Sequence, residues 1–530
     1  VSTASTRAET IPGAVAATIA ARPDAEAVVE PGRRVTYREL GARIAVATRA
    51  MIASGVRPGD RVAIWAPNGL DWIVAALGAQ SAGAAIVPIN TRWKGEEAAY
   101  LLAASKAVLL VTAVGFLGSD TVGMLAAAGT PLPQLRRIVV LEGSSRPAGA
   151  PADVDVLPWQ AFEARAGADP PPVVRPTDTS DVLFTSGTTG RPKGVIMTHG
   201  QTVEQFRGWC AFAGLEPGDR YLIVNPFFHM FGYKAGWLAS LLQGATIFPV
   251  PVFDVPTVLS LVETERITVL PGAPTVYRSI LDHPERGKFD LRTLRVAVTG
   301  AADIPVSLIR ELRAELPFQS ILTGYGLTEA GTCTGSRPGD DAETIATTAG
   351  RAMPGLEIVV ADAKGHEVAR GDTGELLVRG YSVMQGYLDD PAATAAAIDA
   401  QGFLHTGDLA TMDARGYVRI VGRLKDMLIV GGFNVYPAEV ENSLLAHDAI
   451  GQVAVVGVPD ARLGEVGVAY VVAAPGRAVE PDAIIAWARE RLANYKVPRH
   501  VVAVAALPLN AAGKVVKDEL RARAAAELAT

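Results

Sequence analysis

Apolar residues fall along this chain in short runs of Val, Ile and Leu, separated by longer stretches with helical spacing. Arg61 to Trp65, Ala85 to Ile89, Ala107 to Thr112, Arg137 to Leu141, Ile267 to Pro271 and Leu294 to Thr299 each read as a strand bounded by Gly, Pro or polar residues. Helix-length segments lie between several of them, as from Pro256 to Arg266 and from Pro305 to Leu316. The alternation predicts an α/β fold with largely parallel sheets. Trp72 to Ile89 is the most membrane-like stretch, but it is rich in Ala and Gly and carries Gln80, Ser81 and Pro88. A lipid span should be longer and more apolar, so a buried helix followed by a strand is expected there. Glu142 to Thr179, rich in Pro, Ala and Gly, is expected to be an irregular surface connection leading into a strand from Asp181 to Thr185.

The pattern changes after Arg423. Beyond it come separate strands (Gln452 to Val456, Val468 to Val472), helices (Ala438 to Ala446, Pro481 to Leu492) and a charged, Ala-rich terminal helix after Asp518. Two domains, 1–423 and 424–530, are expected, with a hinge near Lys425. The length of 530 residues agrees, being too great for one ordinary core. With 49% hydrophobic and 20% charged residues the chain should pack as a globular protein. A net charge of -6 without a long basic run disfavours a nucleic-acid partner. Cys210 and Cys333 are too few for a disulfide framework or a four-ligand zinc site, which points to a reducing cytoplasm. The start of the chain has no basic segment followed by an apolar signal core.

Candidate chemistry concentrates first in Thr185 to Gly194, TSGTTGRPKG, directly after an apolar strand. Its glycines free the backbone to curl, Thr185, Ser186, Thr188 and Thr189 bring hydroxyls, and Lys193 brings positive charge. That combination suits a triphosphate. A plain turn ending a strand is the bland alternative, and it leaves so many hydroxyls beside one lysine unexplained. Two common nucleotide patterns fail. Before Gly513-Lys514 a Walker loop would need Gly where Pro508 stands, and Ser or Thr where Val515 follows. Gly324-Tyr325-Gly326 begins a dinucleotide pattern, but Glu329 occupies the place of its third glycine.

Six elements occur in order: the loop; Tyr325-Gly326-Leu327-Thr328-Glu329; Thr406-Gly407-Asp408; Gly422-Arg423-Leu424-Lys425-Asp426; Gly431-Gly432-Phe433; and Pro508-x4-Gly513-Lys514. With Val35-Thr36-Tyr37 and the run Gly55 to Asn68 upstream, the chain resembles the superfamily of acyl-CoA synthetases, firefly-type luciferases and peptide-synthetase adenylation domains. The resemblance implies a large N-terminal domain of α/β subdomains with a β-barrel-like subdomain, and a small mobile α+β C-terminal domain. It implies an enzyme that forms an acyl-adenylate from ATP and a carboxylate, with Mg²⁺, then transfers the acyl group to coenzyme A. It assigns Thr185, Ser186, Gly187, Thr188, Thr189 and Lys193 to the ATP phosphates, Thr328 to a phosphate contact and Glu329 to the metal. Taken alone Glu329 would read as a carboxylate at a helix start, and its place inside Tyr325-Gly326-Leu327-Thr328-Glu329 is what favours the metal. Tyr325 and Gly326 would meet adenine, with Gly300, Ala301 and Ala302 as the opposite wall. Asp408 would accept the ribose hydroxyls, with Arg423 near the same sugar. The resemblance makes Lys514 the lysine that bridges the substrate carboxylate and α-phosphate, and puts Gly431, Gly432 and Phe433 beside the pantetheine. Tyr495, Lys496 and Arg499 could meet the CoA nucleotide or be solvated charges.

For the acid, Asn225 to Gly232 resembles the aromatic block of acyl- and aryl-CoA ligases and lacks the Asp that amino-acid-activating relatives place nearby, so an unaminated acid is expected. His229 would gate the acyl entrance. Tyr233, Lys234, Thr299, Gly300, Gly324 and Ala330 are expected to line the pocket, with Lys234 facing either a ring ketone or solvent. NPFFHMFGYKAG, LPGAPTVY and KDMLIVGGFNVYPAEVE look closest to the actinobacterial branch that activates the propanoate side chain of partly degraded steroids. Fatty, aryl and alicyclic acids stay open, as does a homodimer. The competing readings are an acyl-AMP ligase loading a carrier protein, a luciferase-like oxidase and a catalytically silent binding module. The presence of Lys514, Glu329 and Asp408 argues against the last.

Overall fold

The computed structural model describes residues 9–141, 154–185, 192–300, 304–431, 433–509 and 515–528. The chain divides into two compact units, Val1–Glu357 with Val378–Leu404, and Ile358–Leu377 with His405–Thr530.

The first unit holds two sheets. One runs, edge to edge, through Gly386–Tyr387, Lys193–Thr198, Thr179–Thr185, Ala85–Pro88, Arg61–Trp65, Leu109–Thr112, Arg137–Val140 and Asp155–Pro158. From Thr179–Thr185 to Asp155–Pro158 neighbouring strands are parallel, and the first two strands are antiparallel additions at the edge. The strands Ala85–Pro88 and Leu109–Thr112 are buried at every position, as parallel strands covered on both faces should be. The second sheet carries Val296–Gly300 parallel to Ser320–Leu327, which then pairs antiparallel with Gly331–Gly335. Helix Leu70–Ser81 is buried from Trp72 to Gln80 and leads into strand Ala85–Pro88, as expected of the apolar stretch. Gly78 permits this: a Cβ there would stand 2.8 Å from Ala47 Cβ on helix Tyr37–Ala53. Among the described residues no helix is long and apolar enough to cross a membrane.

One expectation fails in this unit. The stretch Glu142 to Thr179 is not irregular throughout, because Asp155–Pro158 forms the sheet edge and Trp159–Glu163 a short helix burying Trp159 and Phe162. Each is too short to display a period among the prolines around it.

In the second unit, Phe433–Val435, Leu428–Val430, Gly464–Ala473 and Ile450–Asp460 form a sheet, with His500–Ala503 parallel to Gly464–Ala473. Alternation puts Val455, Ala469 and Val471 in a core with Val440 and Ile484, and Ala454, Val456, Val468 and Tyr470 in another with Leu520 and Ala524. Helices Pro437–Leu444 and Pro481–Arg489 thus cover one face and Lys517–Leu528 the other, an α+β arrangement. A four-stranded sheet in the order Leu356–Ala361, Gly374–Gly380, Leu404–Met412 and Val418–Arg423 stands where a β-barrel-like subdomain of the N-terminal domain was expected, and most of its residues fall in the second unit.

Candidate active site

The stem of the phosphate loop is a hairpin. Thr185 ends its strand directly opposite Lys193, which opens the return strand. Ser186, Gly187, Thr188 and Thr189 lie outside the described residues, as do Ala301, Ala302, Gly432 and Lys514. On the far side of the return strand, Tyr387 pairs with Val195. Its local chain is built for the position. Asp390 accepts from Ala393 N–H at 2.9 Å and starts the helix Pro391–Ala397, while the Tyr387 N–H donates to Thr394 Oγ1 at 2.9 Å. The Tyr387 ring then lies beneath Lys193, whose Nζ stands 5.1 Å from the ring centroid, within cation–π range.

Thr328, Glu329 and Ala330 form the turn between strands Ser320–Leu327 and Gly331–Gly335, not the start of a helix. Gly331 closes it with φ +59, and a Cβ there would stand 1.9 Å from Gln205 Nε2. That amide instead donates to Ala330 O at 2.7 Å. The Glu329 carbonyl accepts from Met384 N–H at 2.7 Å, and its carboxylate Oε1 accepts from Tyr387 Oη–H at 3.0 Å. Burial, then the Glu329 charge, push the Tyr387 phenol up, so it keeps its proton and donates. Lys193, Tyr387 and Glu329 therefore stand in one row. The sequence reading missed Tyr387. The only signal was Gly386-Tyr387 ahead of Asp390-Pro391, a helix-start cue that says nothing of a phenol facing a carboxylate.

Gly300 ends its strand opposite Gly324, the last parallel-paired position of the neighbouring strand, on the carboxyl side of the sheet where open α/β folds bind ligands. A Cβ at Gly324 would meet Thr334 O at 2.7 Å, so backbone pairing alone already demands glycine there. Tyr325 follows, half-buried, opposite Thr334. His229 is exposed and caps the short helix Met230–Gly232, its Nδ1 accepting from Phe231 N–H at 3.3 Å.

Two expected pocket residues are corrected. Tyr233 is fully buried and Lys234 is 1% exposed, both in the π-helical segment Tyr233–Leu238. Lys234 faces neither substrate nor solvent: its Nζ sits 2.8 Å from Asp181 Oδ1 and donates to Thr202 Oγ1 at 3.3 Å. Burial pushes this ammonium down and Asp181 opposes that, so the counter-charge is what lets a lysine stay inside. Ser180 Oγ at 2.7 Å donates to the other Asp181 oxygen, and Gln80 Nε2 donates to Tyr233 Oη at 2.9 Å. Thr299 and Ala330 are buried as well.

In the second unit, Asp408 is buried and register-paired with Arg423, whose Nε lies 2.7 Å from Asp408 Oδ1. The two residues expected beside one sugar are thus brought together by an ion pair. Lys425 sits in the short turn Leu424–Asp426, and Arg521 on the terminal helix pairs with Asp426. Gly431 has φ +59, in the left-handed region, and donates its N–H to Leu463 O at 2.7 Å. Phe433 is 57% exposed and stacks on Tyr495 with 4.7 Å between ring centroids. Lys496 pairs with Glu439 at 2.5 Å.

Residues 15–388 match the family model described as AMP-binding enzyme, and residues 439–514 match its C-terminal domain. The chain belongs to the AMP-binding enzyme family. A relative from Rhodococcus jostii is 51% identical over 93% of this chain and 95% of its own length. One from Mycobacterium tuberculosis is 49% identical over 97% and 98%. Each is named as a ligase joining a 7a-methyl-1,5-dioxo-octahydro-1H-inden-4-yl propanoyl group to CoA. Among solved structures, ATP-bound MatB from Rhodopseudomonas palustris superposes with a TM-score of 0.86 at 29% identity, covering 97% of this chain and 99% of that one. This member of the AMP-binding family is an AMP-forming acid–CoA ligase.

The metal that the family implies must fit these side chains. Among the described residues no cluster of three or more His, Cys, Asp or Glu could hold one. Glu329 has Oε1 engaged by Tyr387, while no described side chain or backbone group bonds Oε2. A single open carboxylate oxygen suits Mg²⁺, which takes its remaining ligands from phosphates and water. The donor set fits.

Proposed function

We propose that this enzyme activates a steroid-derived bicyclic propanoate with Mg²⁺ and ATP, then joins it to coenzyme A. The carboxylate oxygen attacks the α-phosphorus and pyrophosphate leaves. The CoA thiolate then attacks the acyl carbon, and AMP leaves. What carries the adenylating half is the row Lys193–Tyr387–Glu329, which brings a cation and a metal-binding carboxylate together beside the phosphate hairpin. The choice of acid rests on the two relatives of about half identity that act on an indenyl propanoate.

Thr185 and Lys193, with the loop they bracket, hold phosphate, and Thr328 adds a hydroxyl. Glu329 would hold Mg²⁺, and the ion would supply positive charge to the phosphates. Tyr325 and Gly326 face adenine across from Gly300, and Asp408, oriented by Arg423, accepts ribose hydroxyls. His229, exposed on its short helix, gates the acyl entrance. Lys514 stabilises the charge that develops between carboxylate and α-phosphate. For the second step the domain 424–530 turns about Lys425, and Gly431 to Phe433 border the pantetheine. Cys210 and Cys333, both buried, fit a reducing cytoplasm.

The test is incubation with ATP, Mg²⁺ and a panel of fatty, aryl, alicyclic and indenyl propanoic acids, with and without CoA, read by mass spectrometry. AMP with the indenyl propanoyl-CoA is expected. A different acyl-CoA would overturn the substrate, and acyl-adenylate without thioester would move the enzyme to a carrier-protein ligase.

A further inference from the structure

The family motifs leave Tyr387 without a role, yet it touches both charged partners of the phosphate site. Glu329 stands on a three-residue turn, where a carboxylate is free to rotate. Two groups from one segment hold it: Met384 N–H on its carbonyl at 2.7 Å and Tyr387 Oη–H on Oε1 at 3.0 Å. The segment is itself pinned, because Gln201 Nε2 donates to Tyr381 O at 3.0 Å and to Val383 O at 2.6 Å. From there the Tyr387 ring reaches under Lys193, 5.1 Å from Nζ. One side chain therefore sets a carboxylate with its hydroxyl and a phosphate-binding cation with its face.

We propose that Tyr387 is a positioning residue that orients Glu329 for Mg²⁺ in the nucleotide complex; this rests on the assignment of Glu329 to the metal. By occupying Oε1 it leaves Oε2 as the single open ligand and keeps the carboxylate from swinging on its turn. The carboxylate alone is then a poor magnesium site, and it becomes a good one once phosphate oxygens complete the shell. The ring face meanwhile holds Lys193 extended, independently of the metal.

The two halves of the role separate in two variants. Tyr387→Phe keeps the ring and loses the hydroxyl, whereas Tyr387→Leu loses both. ATP binding is measured by calorimetry with Mg²⁺ and with chelator, on protein whose melting temperature is checked alongside. In Tyr387→Phe, ATP affinity without metal should match wild type, while the affinity of the ATP complex for the metal falls about tenfold, the scale of a lost partner behind a metal ligand. Titration of the same complexes with Mn²⁺, read by electron paramagnetic resonance, should give the same ratio without any turnover. Tyr387→Leu should also weaken metal-free ATP binding. Wild-type metal affinity in Tyr387→Phe would overturn the proposal. Glu329→Gln separates the two assignments. If it keeps the metal-dependent gain, the metal reading of Glu329 falls and the proposal with it. If it loses the gain while Tyr387→Phe keeps it, only the role of Tyr387 falls.

Discussion

At the scale of single residues, what surrounds a side chain decides its role more than its place in a motif. Lys234 follows the aromatic block that the sequence ties to the acyl site, and its identity alone leaves ketone or solvent as partners. The structure gives it Asp181 at 2.8 Å, from a strand remote in sequence, so the charge serves the interior. Removing one member of such a pair leaves the other buried and uncompensated. Lys234→Met should therefore destabilise the first unit by about 3–5 kcal/mol, read as the shift of its urea transition by tryptophan fluorescence. The double variant Lys234→Met with Asp181→Leu should recover most of that loss. A single variant as stable as wild type would mean that Asp181 is protonated or that water enters. Tyr387 carries the same lesson: no spacing rule links it to Glu329, because the contact exists only once two turns are brought side by side. Glu329, Asp408 and Lys193 were legible because each sits in a string whose neighbours mark it. Tyr387, the partner of Glu329 and Lys193, was not, whereas Arg423, the partner of Asp408, stood in a marked string of its own.

At the scale of elements, strands were legible where burial forces continuous apolar runs. Arg61–Trp65 matches its run end to end, and Val269–Pro271 and Val296–Gly300 fall within two residues of theirs. Gly386–Tyr387 is a two-residue strand and Trp159–Glu163 a single turn of helix, both too short for any period to register. Docking between elements was equally hidden. The first helix, Ile11–Ala21, donates its Ile11 N–H to Nδ1 of His199, the opening residue of helix His199–Ala213, at 3.4 Å. Burial pushes this imidazole down to about 4, with Lys234 adding to the shift and Asp178 opposing it. Above pH 6.5 both folded and unfolded chains hold it neutral and its contribution is complete. As pH falls from 6.5 towards 4 the unfolded chain alone takes the proton, so up to about 3 kcal/mol of stability is lost across that window. Melting temperatures at pH 7.5 and pH 5 should fall more steeply in wild type than in His199→Asn, which offers Ile11 a neutral acceptor at both. Parallel slopes would mean that His199 charges without disturbing the helix it holds.

At the scale of the whole molecule, the reaction forms two bonds in succession, and the candidate groups for it are spread over residues 185 to 514. The family match spans both parts of that range, and the two compact units hold the candidate residues in separate sets. Lys193, Glu329 and Tyr387 lie in the first, and Asp408, Arg423 and Phe433 in the second. Lys514 is assigned to adenylation alone, since its charge would act on the carboxylate and the α-phosphate before any thiol is present. Lys514→Ala should accordingly lose roughly 10²–10³-fold in adenylation, the scale of one removed donor to a developing oxyanion. Thioester formation from supplied acyl-adenylate should persist near the wild-type rate. The check is single-turnover kinetics of each half-reaction, with pyrophosphate release for the first and acyl-CoA for the second. A selective loss would establish that the C-terminal lysine serves one step and that another arrangement of the domain 424–530 serves the other. Equal loss in both would remove that division and leave a single fixed site, in which the turn about Lys425 has no work to do.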